Sequence, residues 1–186
     1  IEVFMVKVSF DQKPYRKFMM QSFGAKCHPS PSSLTDFGKK LLDENPNNPG
    51  SLGIAISDAI ESVVKSGGNA KYSLGSVLGH VLMHQTINGN EAILQMEQAG
   101  DYPDIIVGCT GGGSNLSGLM FPFLGQQLRG GQKIDIIGCE PLSCPSFTKG
   151  KYAYDHGDMA RMTPLIKMHT LGSNFLPPAK IGRAHV

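Results

Sequence analysis

Asp104-Ile105-Ile106-Val107-Gly108-Cys109-Thr110-Gly111-Gly112-Gly113-Ser114-Asn115-Leu116 is the stretch that decides the architecture of this 186-residue chain. Its first six residues form a short apolar run rich in β-branched side chains, the pattern of a buried strand. A glycine turn follows. Residues 116–128 then place Leu116, Leu119, Met120, Phe123, Leu124 and Leu128 on one helical face. Pro122 inside that helix removes an N–H and is expected to kink it. Residues 133–139 make a second apolar run, ended by Glu140-Pro141. Strand, turn, helix and strand at this spacing form a βαβ unit, so the sheet is expected to be parallel and the fold class α/β.

Working toward the N-terminus, residues 86–99 predict a helix ending at Gly100, preceded by a loop at 75–80 and a short strand at 71–74. Residues 51–65 form the most regular amphipathic segment. Leu52, Ala55, Ile56, Ala59, Ile60, Val63 and Val64 fall on a helical stripe, Ser51 can cap its start and Gly67-Gly68 follow its end. Residues 43–50 are a loop, 34–42 a short helix, and Pro29-Ser30-Pro31-Ser32-Ser33 a break. Residues 25–28 and 3–8 read as strands, with a helix at 13–23 between them that has Pro14 in its first turn and Gly24 past its end. Beyond Ser143 the chain is polar, rich in Gly and Pro, and weakly periodic.

Composition narrows the function classes. Seventeen basic against fifteen acidic residues give a formal charge of +2 with no basic cluster, which argues against a dedicated nucleic-acid surface. No apolar run approaches the ~20 residues of a membrane span. Ile1 to Phe10 lacks the parts of a signal peptide. The four cysteines, Cys27, Cys109, Cys139 and Cys144, show no Cys-x-x-Cys spacing and no disulfide framework, as expected of a cytoplasmic protein. Cys109 and Cys139 end apolar runs and are expected to be small buried hydrophobes.

The glycine turn carries the chemistry. In open parallel sheets ligands bind beyond the carboxyl ends of strands. The first N–H groups of the following helix lack intrahelical partners, and the helix dipole favours an anion there. With Ser114 and Asn115 as further donors, a phosphate is the expected guest. A Walker loop is excluded, because no Lys lies between Thr110 and Arg129. A dinucleotide fingerprint is weak: Gly111 and Gly113 match, Leu116 stands where the third small residue belongs, and Glu140 sits where a ribose-binding acid would. The third reading is a cofactor monophosphate held by Gly111, Gly112, Gly113, Ser114 and Asn115.

That Gly-Gly-Gly-Ser-Asn cup resembles the one used by the tryptophan synthase β-like group of pyridoxal phosphate enzymes, of fold type II. Its neighbours extend the resemblance over nearly the whole chain and toward the divergent, second-type β chains. They are Lys7-Val8-Ser9-Phe10-Asp11-Gln12-Lys13-Pro14-Tyr15-Arg16, Asn48-Pro49-Gly50-Ser51-Leu52-Gly53-Ile54-Ala55-Ile56-Ser57, Gly75-Ser76-Val77-Leu78 with His80 and His84-Gln85-Thr86, and Thr148-Lys149-Gly150-Lys151-Tyr152-Ala153-Tyr154-Asp155. The resemblance implies parallel and mixed sheets flanked by helices, and pyridoxal 5'-phosphate held by Gly111, Gly112, Gly113, Ser114, Asn115 and Glu140. It also implies a monovalent cation on the backbone of Thr110, Gly111 and Glu140. Ser32, Ser33 and Thr35 fall near a loop that supplies hydroxyls, although plain helix capping is the favoured reading for them. His80 and His84, four apart, are expected to line a pocket rather than bind metal. Asp155, His156 and Asp158 read as a solvated loop.

The resemblance further implies what the parent does. It condenses L-serine with indole to give L-tryptophan, a β-replacement through an aminoacrylate, with a homodimeric parent and a tryptophan synthase α-type partner as an option. The family's Schiff-base lysine lies in a His-Lys-x-Asn block upstream, and none of the thirteen lysines here sits in one, so no catalytic residue is expected in this chain. Residues 1–30 are expected to end the smaller domain and 31–180 to belong to the larger, cofactor-binding one. Residues 181–186 are expected to be a non-native read-through tail, and the chain an internal fragment without synthase activity of its own. The alternatives are a dinucleotide-binding Rossmann-like module using Gly111 to Asn115 with Glu140, a non-catalytic interaction protein, and another pyridoxal phosphate enzyme such as a serine/threonine dehydratase or cysteine synthase.

Overall fold

The computed structural model describes residues 1–75 and 77–177; Ser76, Lys180 and the expected tail 181–186 lie outside the described residues. In chain order the elements are β1 (Glu2–Val6), α1 (Lys7–Gln12), α2 (Pro14–Ser22), β2 (Lys26–Ser30), α3 (Asp36–Glu44), α4 (Leu52–Lys65), α5 (Gly79–Ala99), β3 (Ile105–Cys109), α6 (Ser114–Leu128), β4 (Asp135–Cys139), β5 (Lys151–His156) and β6 (Leu165–Thr170). They gather in two compact units, one of Ile1–Ser73 with residues 142–177, the other of Leu74–Pro141. Residue 30, where the sequence places the end of a smaller domain, lies inside the first unit.

In the first unit β1 and β2 pair in parallel, from Glu2 opposite Lys26 to Val6 opposite Ser30, with α1 and α2 as the crossover. The strand expected over 3–8 therefore stops at Val6. β2 offers five partners, and a longer strand would leave backbone groups unpaired. Val8 sits in α1 instead, and its N–H donates to Pro49 O at 3.0 Å. The capping residues act as their chemistry dictates: Ser51 Oγ accepts from Ile54 N at 3.2 Å, and Thr35 Oγ1 from Gly38 N at 3.0 Å. The expected apolar stripe of α4 is only half right. Five consecutive residues, Ile54, Ala55, Ile56, Ser57 and Asp58, are buried, whereas Val64 is 71% exposed. Residues 54–58 are thus enclosed on all sides, whereas Leu52, 39% exposed, and Val64 are not. Residues 71–74 form no strand, and the antiparallel pair β5–β6 was not anticipated. Tyr152 and Tyr154 alternating with Ala153 were its signal.

In the second unit β3 and β4 pair in parallel around α6, from Ile105 opposite Asp135 to Cys109 opposite Cys139, as the βαβ pattern requires. Ile106, Phe123 and Ile134 form the core, with Ala92, Ile93, Tyr102, Leu119 and Met120 packed on it. α5 begins at Gly79, two turns before the expected start at residue 86. Its glycine and histidine content masks a helix that exists because it packs on α6. The contact is close at two glycines: a Cβ at Gly89 would lie 2.4 Å from Leu119 O, and one at Gly118 would lie 2.6 Å from Gln85 Cβ. α6 continues through Pro122 as one helix. Gly118 O, which Pro122 deprives of its N–H partner, faces Gly89, so the two glycines and the proline share one crossing.

The expectation that β3 is buried is corrected by its alternation. Ile106 and Gly108 face the core, while Ile105 and Val107 are more than half exposed. A parallel strand is buried on both faces only where helices cover both, and α5 and α6 cover one. Cys109 and Cys139 fall on the other face and are exposed, not buried; all four cysteines are free thiols. Among the described residues no helix is long and apolar enough to cross a membrane.

Candidate functional site

β3 delivers the chain to the glycine turn and α6 carries it away. Thr110 N–H donates to Cys139 O at 2.7 Å, so the β3–β4 pairing runs one residue beyond the strand and sets Thr110 beside the end of β4. Gly113 then takes φ +98°, a left-handed conformation that a Cβ would strain, which is why glycine is needed there. Its carbonyl accepts from Ser117 N–H at 2.9 Å and from the Ser117 hydroxyl, closing the first turn of α6. Asn115 Nδ2 donates to Cys109 O at 3.2 Å, tying the helix start back to the strand end. Asn115 thus braces the turn.

The result is an anion-ready surface. The N–H groups at the start of α6 have no intrahelical acceptor, and they sit at the positive end of a 15-residue helix. Ser114 is buried, Gly111 to Gly113 are half-buried, and Asn115 is exposed. The Thr110 hydroxyl is buried with no hydrogen-bond partner. Left so, it costs about 1–3 kcal/mol. Glu140, partly buried, follows β4 as Thr110 follows β3. Consecutive N–H donors, a left-handed glycine and a buried hydroxyl lacking a partner are a donor set that fits a phosphate.

The family is decided by the sequence profile of the pyridoxal-phosphate dependent enzymes, which matches residues 2–179. The chain belongs to that family. It is 57% identical over 98% of its length to tryptophan synthase beta chain 2 of Aeropyrum pernix, 58% over 96% to that of Thermotoga maritima, and 54% over 98% to that of Pyrococcus furiosus. It spans 41–42% of the length of these relatives. Its α/β arrangement of parallel and antiparallel strands with helices agrees with the fold type II expectation.

The family match overturns the dinucleotide reading of Gly111 to Asn115 with Glu140, and the packing shows why that fingerprint fails. A Rossmann turn needs a small residue on the helix so that helix and strand approach closely. Here Leu116 occupies that place, and the small residues are on the strands: Cβ atoms at Gly108 and Gly138 would lie 2.6 Å and 3.0 Å from the Leu116 side chain.

A second polar cluster, in the first unit, was missed. Asp58, fully buried on α4, accepts from Ser30 Oγ at 2.6 Å, from Ser32 N at 3.0 Å and from Thr35 Oγ1. Ser32 Oγ also accepts from Leu34 N at 3.2 Å. Thr35 therefore caps α3, as favoured, and additionally binds Asp58. Burial dominates the Asp58 carboxyl and pushes its pKa up against those hydrogen bonds. The neighbouring Ser57 Oγ donates to Asp158 Oδ2 at 2.8 Å. Asp158, expected on a solvated loop, is fully buried and also accepts from Met162 N, Thr163 N and Thr163 Oγ1 at 3.1, 2.9 and 2.8 Å. Burial raises its pKa, but the four hydrogen bonds together outweigh that and hold it below the usual carboxylate range. Tyr72 is pushed up to about 12 by burial and by the Asp158 charge. The available signal was Ser57-Asp58 in the middle of an apolar helix, where a polar pair demands partners.

The remaining candidates are dispersed. His80 and His84 lie on α5 with their rings edge to face at 6.2 Å. Asp155 and His156 lie on β5, and His156 Nδ1 meets Thr163 O at 2.6 Å. Among the described residues no three metal-ligating side chains gather. An open groove of about 520 Å³ between α5 and α6, lined by Asn90, Ile93, Phe121 and Arg129, is separate from the glycine turn.

Proposed function

We propose that this chain is the phosphate-holding part of a pyridoxal phosphate enzyme that condenses L-serine with indole to give L-tryptophan. The observation that carries it is the glycine turn between β3 and α6, in a chain 57% identical over 98% of its length to a tryptophan synthase beta chain. The N–H groups of residues 111–115 and the hydroxyls of Thr110 and Ser114 hold the cofactor phosphate, with the α6 dipole favouring its charge. Glu140 stands at the pocket edge, and main-chain carbonyls of Thr110, Gly111 and Glu140 hold a monovalent cation. When bound, pyridoxal phosphate supplies the electron sink for chemistry at the β-carbon of serine. None of the residues placed here moves the reacting protons, so their work is anchoring and orientation. The enzyme acts as a homodimer, and an α-type subunit is its natural source of indole.

The test is to express the gene extended on both sides to the length of its relatives, with an in-frame His-Lys-x-Asn block upstream and native sequence in place of residues 181–186, and to assay L-serine plus indole. Tryptophan formation that saturates with pyridoxal phosphate, absent from the 186-residue chain, is the expected result. An extended protein that consumes serine without using indole sinks the assignment of substrate.

A further inference from the structure

Four buried polar side chains meet between the end of β2 and α4. Ser30, Ser32, Thr35 and Asp58 are each 3% exposed or less, enclosed by residues of this chain. Among the described residues no cation pairs with the Asp58 carboxyl, and the charged and titratable groups on the elements around it are engaged elsewhere. Lys65, on the same helix, binds Asp36 of α3 and Glu61 of α4 at 2.8 and 2.6 Å. His28, on Ser30's face of β2, lies 3.9 Å from Glu2 of β1. Asp158, held against Ser57, has its own donors at Met162 and Thr163. A buried carboxylate without a cation is costly, and a proton removes that cost. We propose that Asp58 and Thr35 form an internal proton-binding relay, in which Asp58 takes up a proton from solvent and the Thr35 hydroxyl changes partner from Asp58 to the Ser32 carbonyl.

The hydrogen bonds can be completed in both states. A threonine hydroxyl carries one donor and two acceptor lone pairs. Thr35 Oγ1 accepts from Gly38 N at 3.0 Å throughout. Its single proton has two acceptors within reach, Asp58 Oδ1 and, at 3.3 Å, Ser32 O. With Asp58 ionised, the hydroxyl donates to Oδ1. With Asp58 protonated on Oδ1, the carboxyl donates to Thr35 Oγ1, and the hydroxyl turns to Ser32 O. In either state Oδ2 accepts from Ser30 Oγ at 2.6 Å and from Ser32 N at 3.0 Å. No heavy atom has to move, and the buried charge disappears. Gly38 packs so closely that a Cβ there would lie 2.6 Å from Thr35 Oγ1, which leaves no room on that side for a water to take the proton. Burial, the largest influence, pushes the Asp58 pKa up against the bonds from Ser30, Thr35 and Ser32, and the Glu61 charge adds to the rise.

The experiment is pH-difference infrared spectroscopy of the extended protein, wild type against Asp58→Asn, reading the C=O stretch of a protonated carboxyl. About one pH unit above ~3.9, where an aspartate of an unfolded chain is ionised, the wild type alone should still show that stretch. It should fade as pH climbs further. Thr35→Val should move its midpoint up by roughly half to one pH unit, because a hydrogen bond to a charged acceptor is stronger than one to a neutral group. Thr35→Ser, which keeps the hydroxyl, should hold the wild-type midpoint. A wild-type stretch already lost at the first pH overturns the relay, and that outcome needs no Thr35 variant to fold. So does a midpoint that folded Thr35→Val leaves unmoved, or that Thr35→Ser moves equally, because the hydroxyl then does not answer the proton.

Discussion

The same substitution at the two buried aspartates should have unlike consequences. In Asp158→Asn, one carboxylate oxygen becomes an NH₂. Whichever way the amide is turned, that NH₂ meets a backbone N–H, either Met162 N at 3.1 Å or Thr163 N at 2.9 Å. One buried donor is orphaned at about 1–3 kcal/mol, and the remaining bonds lose their charge assistance, so the expected cost is about 2–4 kcal/mol. Asp58→Asn differs. Its oxygen can keep Ser32 N and Ser30 Oγ, while its NH₂ donates to Thr35 Oγ1, a hydroxyl able to accept. The variant also removes the burial penalty on a charge, so the expected change lies within about 1 kcal/mol at neutral pH. Urea unfolding followed by far-UV ellipticity measures both, since the chain lacks Trp. At about 2 kcal/mol per molar urea, the Asp158 variant should shift its midpoint by about 1–2 M. Asp135→Asn, at an exposed site, serves as the control. Equal shifts for the Asp58 and Asp158 variants would refute the hydrogen-bond accounting.

The pH dependence of the same two residues should have opposite signs. Asp158 is depressed in the fold, so its stabilisation is present above the unfolded pKa of ~3.9 and lost as pH falls through the folded value. Asp58 is raised, so its contribution is most favourable below ~3.9 and declines as pH climbs through the folded value; the Asp58→Asn advantage should therefore grow toward neutral pH in paired urea titrations. Gly113→Ala forces a Cβ into φ +98°, at about 1–2 kcal/mol, and should weaken pyridoxal phosphate affinity of the extended protein, read by cofactor titration. Thr110→Val removes a buried hydroxyl without a partner; the free chain should gain about 1 kcal/mol in urea unfolding while cofactor affinity falls. Gly89→Ala drives a Cβ against the Leu119 carbonyl and should cost about 1–3 kcal/mol by the same assay.

Much of this was legible in the residues. The apolar run of β3, the glycine turn and the stripe of α6 announced a βαβ unit, because the periodicity that folds them is local. The same turn raised the expectation of a phosphate, since glycine backbone freedom and free helix N–H groups are properties of the sequence at that point. The start of α5 was hidden, because glycines that read as loop are there to admit α6. β5 and β6 were hidden as well, exposed strands whose alternation is faint.

Family membership and the βαβ unit with its glycine turn are written in residues contiguous in the chain. Tertiary structure alone decided the rest. Asp158 has an ordinary loop sequence with local donors at Met162 and Thr163, and its burial against α4 adds Ser57, 101 positions away, as a further donor. Cys109 and Cys139 look like two unrelated small hydrophobes and become neighbours only through the register of β3 on β4. Local patterns record backbone preference and amphipathic faces; burial, register and the partner of a polar group depend on which distant segment arrives, and no window of sequence contains that.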